Sequence, residues 1–302
     1  VKVGKIPKFE RQDDRHLESY GLAATAFNRF EDLGVEAGVD LGRFARLIAS
    51  ATQGNPVFLR DPNALAGDHG TPERLRVPDP DPELGTGVPI LYDAEVEPFT
   101  GGGDLELGAG AGLRWSDPAG DGVELLVFGY RRELAETVEL EGSRYGGDLD
   151  LLRGPFDAFP FPITGDDKRE VGASLWVYAG DLTLFAQFVD QDLAGLVRTG
   201  IEAELAWRLE LPRGPTVAGR RLFPALAPAV RYSRLDPRFD APAVTPSPSL
   251  AWEWEKVDLG VRLTVVEGLD LTAEVARNEF VRAAGPASND EVLATVRWRV
   301  GR

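Results

Sequence analysis

The chain has 302 residues, 43% of them hydrophobic and 27% charged, so it is long and apolar enough to bury a core or close a large barrel, and a disordered polymer is excluded. Its formal charge of −16, from 33 basic and 49 acidic residues, argues against nucleic acid as a partner, because phosphates demand a basic surface. Cysteine is absent, which removes disulfides, thiolate metal sites and cysteine nucleophiles, and no run reaches the ~18–20 apolar residues of a helical membrane span.

The opening VKVGKIPKF reads as a short strand. Val1 falls inside it, no signal peptide precedes it and the chain has no methionine, so a mature or truncated chain is expected. Residues 10–17 are polar, and the periodicity of SYGLAATAFNRFEDLG is poor. From Leu33 the pattern changes: Leu33, Val35, Ala37, Val39 and Leu41 share one face, against Gly34, Glu36, Gly38 and Asp40. Side chains of a strand alternate between faces, so this is an amphipathic strand. A tight turn at Asp40–Arg43 leads into a second strand over 44–53, with Arg46 on its polar side. Residues 54–103, rich in Pro, Asp, Asn and Gly, are predicted as a long loop carrying a short strand-like arm from Ile90 to Glu97.

The next strand spans 104–116, with Leu105, Leu107, Ala109, Ala111, Leu113 and Trp115 opposite Asp104, Glu106, three glycines and Arg114. After a turn at 117–122, residues 123–134 are apolar on both faces and their orientation is open. A second long connection, 135–168, precedes strands at 169–180 and 182–191, joined at Gly180-Asp181. The segment 197–211, VRTGIEAELAWRLEL, then holds period two throughout. Its apolar face ends in Trp207, Leu209 and Leu211, and its polar face carries Arg198, Glu202, Glu204 and Arg208. Strands of soluble domains run ~5–6 residues and membrane-spanning strands roughly 9–11, so the length points to a transmembrane β-barrel with charged faces toward a lumen.

Residues 222–235 continue the pattern, weakened by Pro224 and Pro228. Leu250, Trp252 and Trp254 alternate with glutamates and the parity shifts near Lys256, which predicts a β-bulge in one long strand reaching Val265. A strand over 269–280, a loop over 281–289 and a last strand with Val292, Ala294, Val296, Trp298 and Val300 on one face close the chain.

These elements give an all-β expectation: one antiparallel transmembrane β-barrel domain over 1–302, with about 12 strands, or up to 16 if leading strands are missing. Long connections (54–103, 135–168, 236–247, 281–289) fall at one end and short ones (42–43, 117–122, 180–181, 267–268) at the other, with 212–221 the exception. That asymmetry is expected of extracellular loops and periplasmic turns. Parity makes Arg46, Arg114, Arg198, Glu202, Glu204, Arg208, Arg231, Arg262 and Glu274 pore-lining candidates, and Trp115, Trp207 and Trp298 candidates for a membrane-interface girdle.

The stretch SYGLAATAFNRFEDLGVEAGVDLGRFARLIASATQGNP and the closing GVRLTVVEGLDLTAEVARNEF with NDEVLATVRW resemble porins of the phosphate-selective porin O and P family. The resemblance implies an outer-membrane β-barrel, often trimeric and usually larger than this chain. Two features depart from the family: the terminal residue is Arg302 where an aromatic residue is typical, and the predicted lumen mixes arginines with acids where an anion pathway would concentrate positive charge.

Catalysis is not expected. The two histidines, His16 and His69, sit in polar stretches without converging partners for a Ser-His hydrolase. Asp61, Asn63 and Asp68 lack EF-hand spacing, and the glycines of 101–103 and 108–112 are followed by no GK[ST]. No metal or cofactor is implied. The expected function is passive diffusion of small polar solutes or ions across a bacterial outer membrane, with its lipid and a homotrimer as partners. A non-conducting barrel that sheathes or anchors a partner, such as an electron conduit or surface assembly, is the alternative. A soluble β-rich binding protein is the third reading.

Overall fold

The computed structural model describes residues 1–12, 15–19, 21–27, 31–54, 57–60, 90–93, 105–134, 149, 161–217, 219–240, 252–282 and 285–299. In chain order the elements are β1 (Lys2–Pro7), α1 (Leu22–Ala26), β2 (Glu31–Leu41), β3 (Ala45–Thr52), β4 (Val57–Arg60), β5 (Ile90–Asp93), β6 (Glu106–Ser116), β7 (Gly122–Glu133), β8 (Asp167–Ala179) and β9 (Leu182–Leu193). They continue with β10 (Leu196–Trp207), β11 (Leu209–Glu210), β12 (Thr216–Val217), β13 (Arg220–Arg221), β14 (Ala225–Pro237), β15 (Glu253–Val266), β16 (Leu269–Arg282) and β17 (Gly285–Trp298).

Thirteen strands form one antiparallel sheet in the order β1-β2-β3-β6-β7-β8-β9-β10-β14-β15-β16-β17, with β11 added beside β14. The order follows the sequence, so the sheet is a meander whose edges are β1 and β17. The pairs β4–β5 and β12–β13 form separate two-stranded sheets; the expected arm at Ile90 is thus a strand outside the main sheet. The nine main-sheet strands from β6 onward, β11 aside, have 11–14 residues, about twice the ~5–6 of an ordinary globular strand.

Burial is inverted relative to a water-soluble sandwich, where the apolar face packs inward. Arg231, Lys256, Asp258, Asn278 and Gln191 are fully buried, whereas Leu113 is 62% and Val296 70% exposed. The outer apolar face is continuous across the register: Val39 opposes Leu47, Leu47 opposes Ala111, Ala111 opposes Val127 and Val127 opposes Ala173. β7, whose orientation the sequence leaves open, turns Val123, Leu125 and Val127 outward and buries Leu126, Phe128 and Tyr130.

Three expectations are corrected. No bulge occurs near Lys256: β15 pairs in register with β16 from Glu253 to Thr264, and the irregularity falls between Thr264 and Val266. What changes near Lys256 is polarity, since Trp252, Trp254, Lys256 and Asp258 all point inward while Glu253 and Glu255 lie on the outer side with Val257 and Leu259. The 281–289 loop is mostly strand, because β16 runs to Arg282 and β17 starts at Gly285; the polar Ser288, Asn289 and Asp290 pair with Glu279, Asn278 and Arg277 beyond the apolar region. A tight turn at Ala194-Gly195, both at positive φ and with the Gly195 N–H bonded to Asp192 Oδ1 at 2.7 Å, also lies at the end assigned to long loops. Finally, the long strand ending at Leu211 breaks after Trp207, where its β9 partner begins at Leu182. That break leaves Ala227 and Pro228 of β14 without a ladder partner on the β10–β11 side, so the missing Pro228 N–H costs no bond there.

The inner face of the sheet packs against the described residues of 8–27. Gly200 lies against Phe27, and a Cβ on Gly110 would come within 2.8 Å of the Phe9 ring, so these inner-face glycines make room for aromatic side chains. Phe27 belongs to a buried cluster with Leu22, Phe128, Val189, Leu235, Trp252, Trp254 and Phe280. Gly200→Leu is expected to destabilise the folded chain by about 1–3 kcal/mol through overpacking. Gly38→Ala, whose Cβ would meet neighbours at 3.5 Å and beyond, should leave the denaturant midpoint close to that of the parent chain.

Candidate functional site

Among the described residues of 8–27 there is one five-residue helix and no strand, so most of their backbone groups are satisfied by something other than a ladder. The inner-face charges supply the partners. Glu204 accepts the His16 backbone N–H at 2.9 Å and the Gln12 amide at 3.1 Å. Glu274 accepts the N–H groups of Glu18 and Ser19, the latter at 2.9 Å. Glu202 accepts the N–H of Ala23 at 3.1 Å and the Ser233 hydroxyl at 3.3 Å. Basic residues serve the carbonyls: Arg262 donates to Arg15 O at 3.0 Å, Arg231 to Ser19 O at 2.9 Å and Arg198 to Ala26 O at 2.5 Å.

These six residues come from β10, β14, β15 and β16, where the two-residue period aims them at one interior. A peptide carries donors and acceptors together, so a wall that binds one needs both carboxylates and guanidinium groups. The mixed charge of the inner face follows from that requirement.

Further groups join the network. Arg231 Nε donates to Asp258 Oδ2 at 3.0 Å, Lys256 Nζ lies 2.9 Å from Asp258 Oδ1, and the Ser19 hydroxyl donates to Asp258 at 2.8 Å. Toward β6, the Glu106 carboxylate sits between Lys8 at 2.7 Å and Lys168 at 3.0 Å. The Tyr130 hydroxyl donates to Glu10 at 2.5 Å, and Gln187 donates to Glu10 O at 3.2 Å. Arg198 also donates to Gln191, which donates to Glu170, each at 2.8 Å. Glu18 bridges β15 and β17 through Arg262 at 3.0 Å and Arg297 at 2.5 Å. Burial, with Arg231 and Arg11 nearby, holds the Arg15 guanidinium below its ordinary pKa. Around it Arg11, Gln12, Phe185, Gln187 and Glu202 line a small cavity with room for about one water.

Of the nine pore-lining candidates, Arg198, Glu202, Glu204, Arg231, Arg262 and Glu274 meet around residues 8–27. Arg46 and Arg114 lie near the short-turn end, paired with Glu124 and Asp40 at 3.0 Å each, and are half-buried. Arg208 is placed apart from the others: it follows the end of β10, is exposed and pairs with Glu210 at 3.0 Å. Trp115, Trp207 and Trp298 are exposed on the outer face, at the strand ends nearest Gly122, Leu182 and Leu269. His16 is the one histidine the described residues include; His69, Asp61, Asn63, Asp68 and Gly101–Gly103 lie outside them.

Sequence reading missed Lys168, Lys256, Asp258 and Ser19. Carrying the alternation of Val257, Leu259 and Val261 back one residue would have found Lys256 and Asp258 on the polar face; Ser19 carries no periodic signal. A comparison with protein-family models and with curated proteins found no match.

Arg231→Met removes the cation shared by Asp258 and Glu204, which lie 3.0 and 3.7 Å from it. Leaving buried carboxylates without that partner is expected to cost about 3–5 kcal/mol. Chemical unfolding of the refolded chain measures it, and Arg231→Met with Asp258→Asn should recover part of the loss.

Proposed function

We propose that the chain forms the wall of an outer-membrane β-barrel porin through which small polar solutes or ions diffuse passively, with residues 8–27 lining and narrowing the passage. The observation that carries this is the face distribution: long antiparallel strands expose Val, Leu and Ala outward and turn Arg198, Glu202, Glu204, Arg231, Lys256, Asp258 and Glu274 inward, beside a buried aromatic cluster. An apolar surface this continuous needs a covering, and hydrocarbon supplies one over the whole width of the sheet. The outward tryptophans at the short-turn end fit an interfacial girdle. The resemblance to the phosphate-selective porin family agrees with this reading and adds the bacterial outer membrane and a trimer to the proposal; the mixed inner charge favours a general polar passage over phosphate selectivity.

A second reading is favoured by one observation: the inner charges that line a passage are committed to residues 8–27. In a barrel so filled, the chain would sheathe or anchor a partner without conducting. Planar-bilayer recording separates the two. Stepwise conductance from the full chain, increased by Glu202→Ala with Glu204→Ala as the segment loosens, is the expected result. Stable insertion without current, in both parent and variant, would overturn the porin reading in favour of the second.

The membrane itself is tested on the outer face. Val127 is 56% exposed, so in a water-facing sheet Val127→Arg should change stability by less than about 0.5 kcal/mol. In a bilayer it is expected to cost about 2–4 kcal/mol, as read from unfolding of chain reconstituted in lipid.

A further inference from the structure

The connection between β10 and β14 departs from the other turns at its end of the sheet. Those turns are short and carry Arg43 against Asp117, Asp121, Asp181 and Glu267. Residues 208–221 instead hold Arg208, Arg213, Arg220 and Arg221 against one acid, Glu210, in a chain whose overall charge is −16. Glu210 lies 3.0 Å from Arg208 and 3.8 Å from Arg221. Among the described residues, neither Arg213 nor Arg220 meets a carboxylate, and both are exposed.

The arm that carries them is built, not loose. β12 and β13 pair through Thr216–Arg221 and Val217–Arg220, Gly219 supplies the positive φ of the turn, and Leu222 N–H donates to Pro215 O at 2.8 Å. Leu211 N–H reaches Pro224 O at 2.8 Å and Phe223 N–H reaches Val265 O at 2.9 Å, which fixes the base of the arm to β15. Its exposed apolar residues are Val217 and Phe223, on a connection that leaves β10 directly after Trp207, which is exposed on the outer face. Arg208 therefore follows directly on Trp207, the last outer-face residue of β10, and Arg213, Arg220 and Arg221 follow on the same connection. Long basic side chains at the border of a lipid-facing surface set their charges at the level of lipid phosphates.

We propose that the 208–221 arm is a binding surface for anionic phospholipid headgroups of the leaflet on the short-turn side. The guanidinium groups of Arg213, Arg220 and Arg221 take the headgroup phosphates, and Val217 and Phe223 rest against the upper acyl chains. This rests on the membrane reading above. A soluble polyanion would account for the arginines but not for the exposed Val217 and Phe223 on the same arm.

The test uses the full chain refolded in detergent with equal amounts of phosphatidylglycerol and phosphatidylcholine of identical acyl chains, and native mass spectrometry to count retained lipids. The parent chain should retain phosphatidylglycerol in preference by about fivefold or more, given the attraction of roughly 1 kcal/mol per basic residue near an anionic surface. Arg213→Gln with Arg220→Gln and Arg221→Gln should bring the preference to about parity with an unchanged unfolding midpoint, while the three Arg→Lys changes should keep most of it. Parity in the parent chain, or an undiminished preference in the glutamine variant, overturns the proposal. So does binding of poly-glutamate to the arm without lipid preference. A chain that is monodisperse in water without detergent overturns the membrane reading itself, so the two failures are distinguishable.

Discussion

Backbone that crosses the inside of a sheet has to find hydrogen bonds that no neighbouring strand offers, and in this chain carboxylates and guanidinium groups of the wall provide them. Glu202, Glu204 and Glu274 take N–H groups of residues 16–23, and Arg198, Arg231 and Arg262 serve carbonyls of residues 15–26. Buried charges of either sign alone would repel one another and leave half of the peptide groups unmet. Interleaved, they neutralise each other and hold a chain segment in place. The inner glycines and the aromatic cluster around Phe27 depend on that seat, since they pack against side chains that would otherwise have no fixed position.

The outer face obeys a different constraint. Its residues alternate with the charged ones, so one two-residue rhythm writes both surfaces at once. A one-residue slip of any strand would expose the buried charges and bury the apolar set, which gives each strand a strongly specified register. At the end bearing Glu253, Glu255, Arg277 and Glu279 the rule reverses: outer positions are charged, with Arg234 bonded to Glu253 at 2.6 Å and Arg277 to Glu279 at 2.9 Å, while Trp252, Trp254 and Phe280 turn inward. Strands there extend past the apolar zone.

That reversal explains where sequence reading succeeded and where it did not. Residues 33–52, 104–116 and 196–207 keep one polarity rule from end to end, and their strands and turns were legible from alternation alone. Residues 252–258 and the described residues of 281–290 cross from one rule to the other, and a change of polarity there imitates a bulge or a loop where β15, β16 and β17 continue as strand. β7 was ambiguous because Phe128 and Tyr130 face inward, Tyr130 stacked on Phe9, so both of its faces are apolar. The inner site was half legible: wall positions could be read from parity, whereas Gln12, Ser19 and Phe27 lie in an aperiodic segment whose place is decided by contacts with strands far along the chain.

Those separations give the molecule an order of assembly. Ser19 meets Asp258 across 239 residues, and Glu18 meets Arg297 across 279. The segment therefore precedes the strands that hold it, and the N–H groups of Glu18 and Ser19 lack their Glu274 partner until β16 has formed. Closing loops of that length delays the contacts that stabilise the interior. The sheet must grow around a guest whose contacts at His16 and Ala23 form with β10 and whose contacts at Glu18 and Ser19 wait for the last strands, so the β15–β17 side of the interior is the last to become dry.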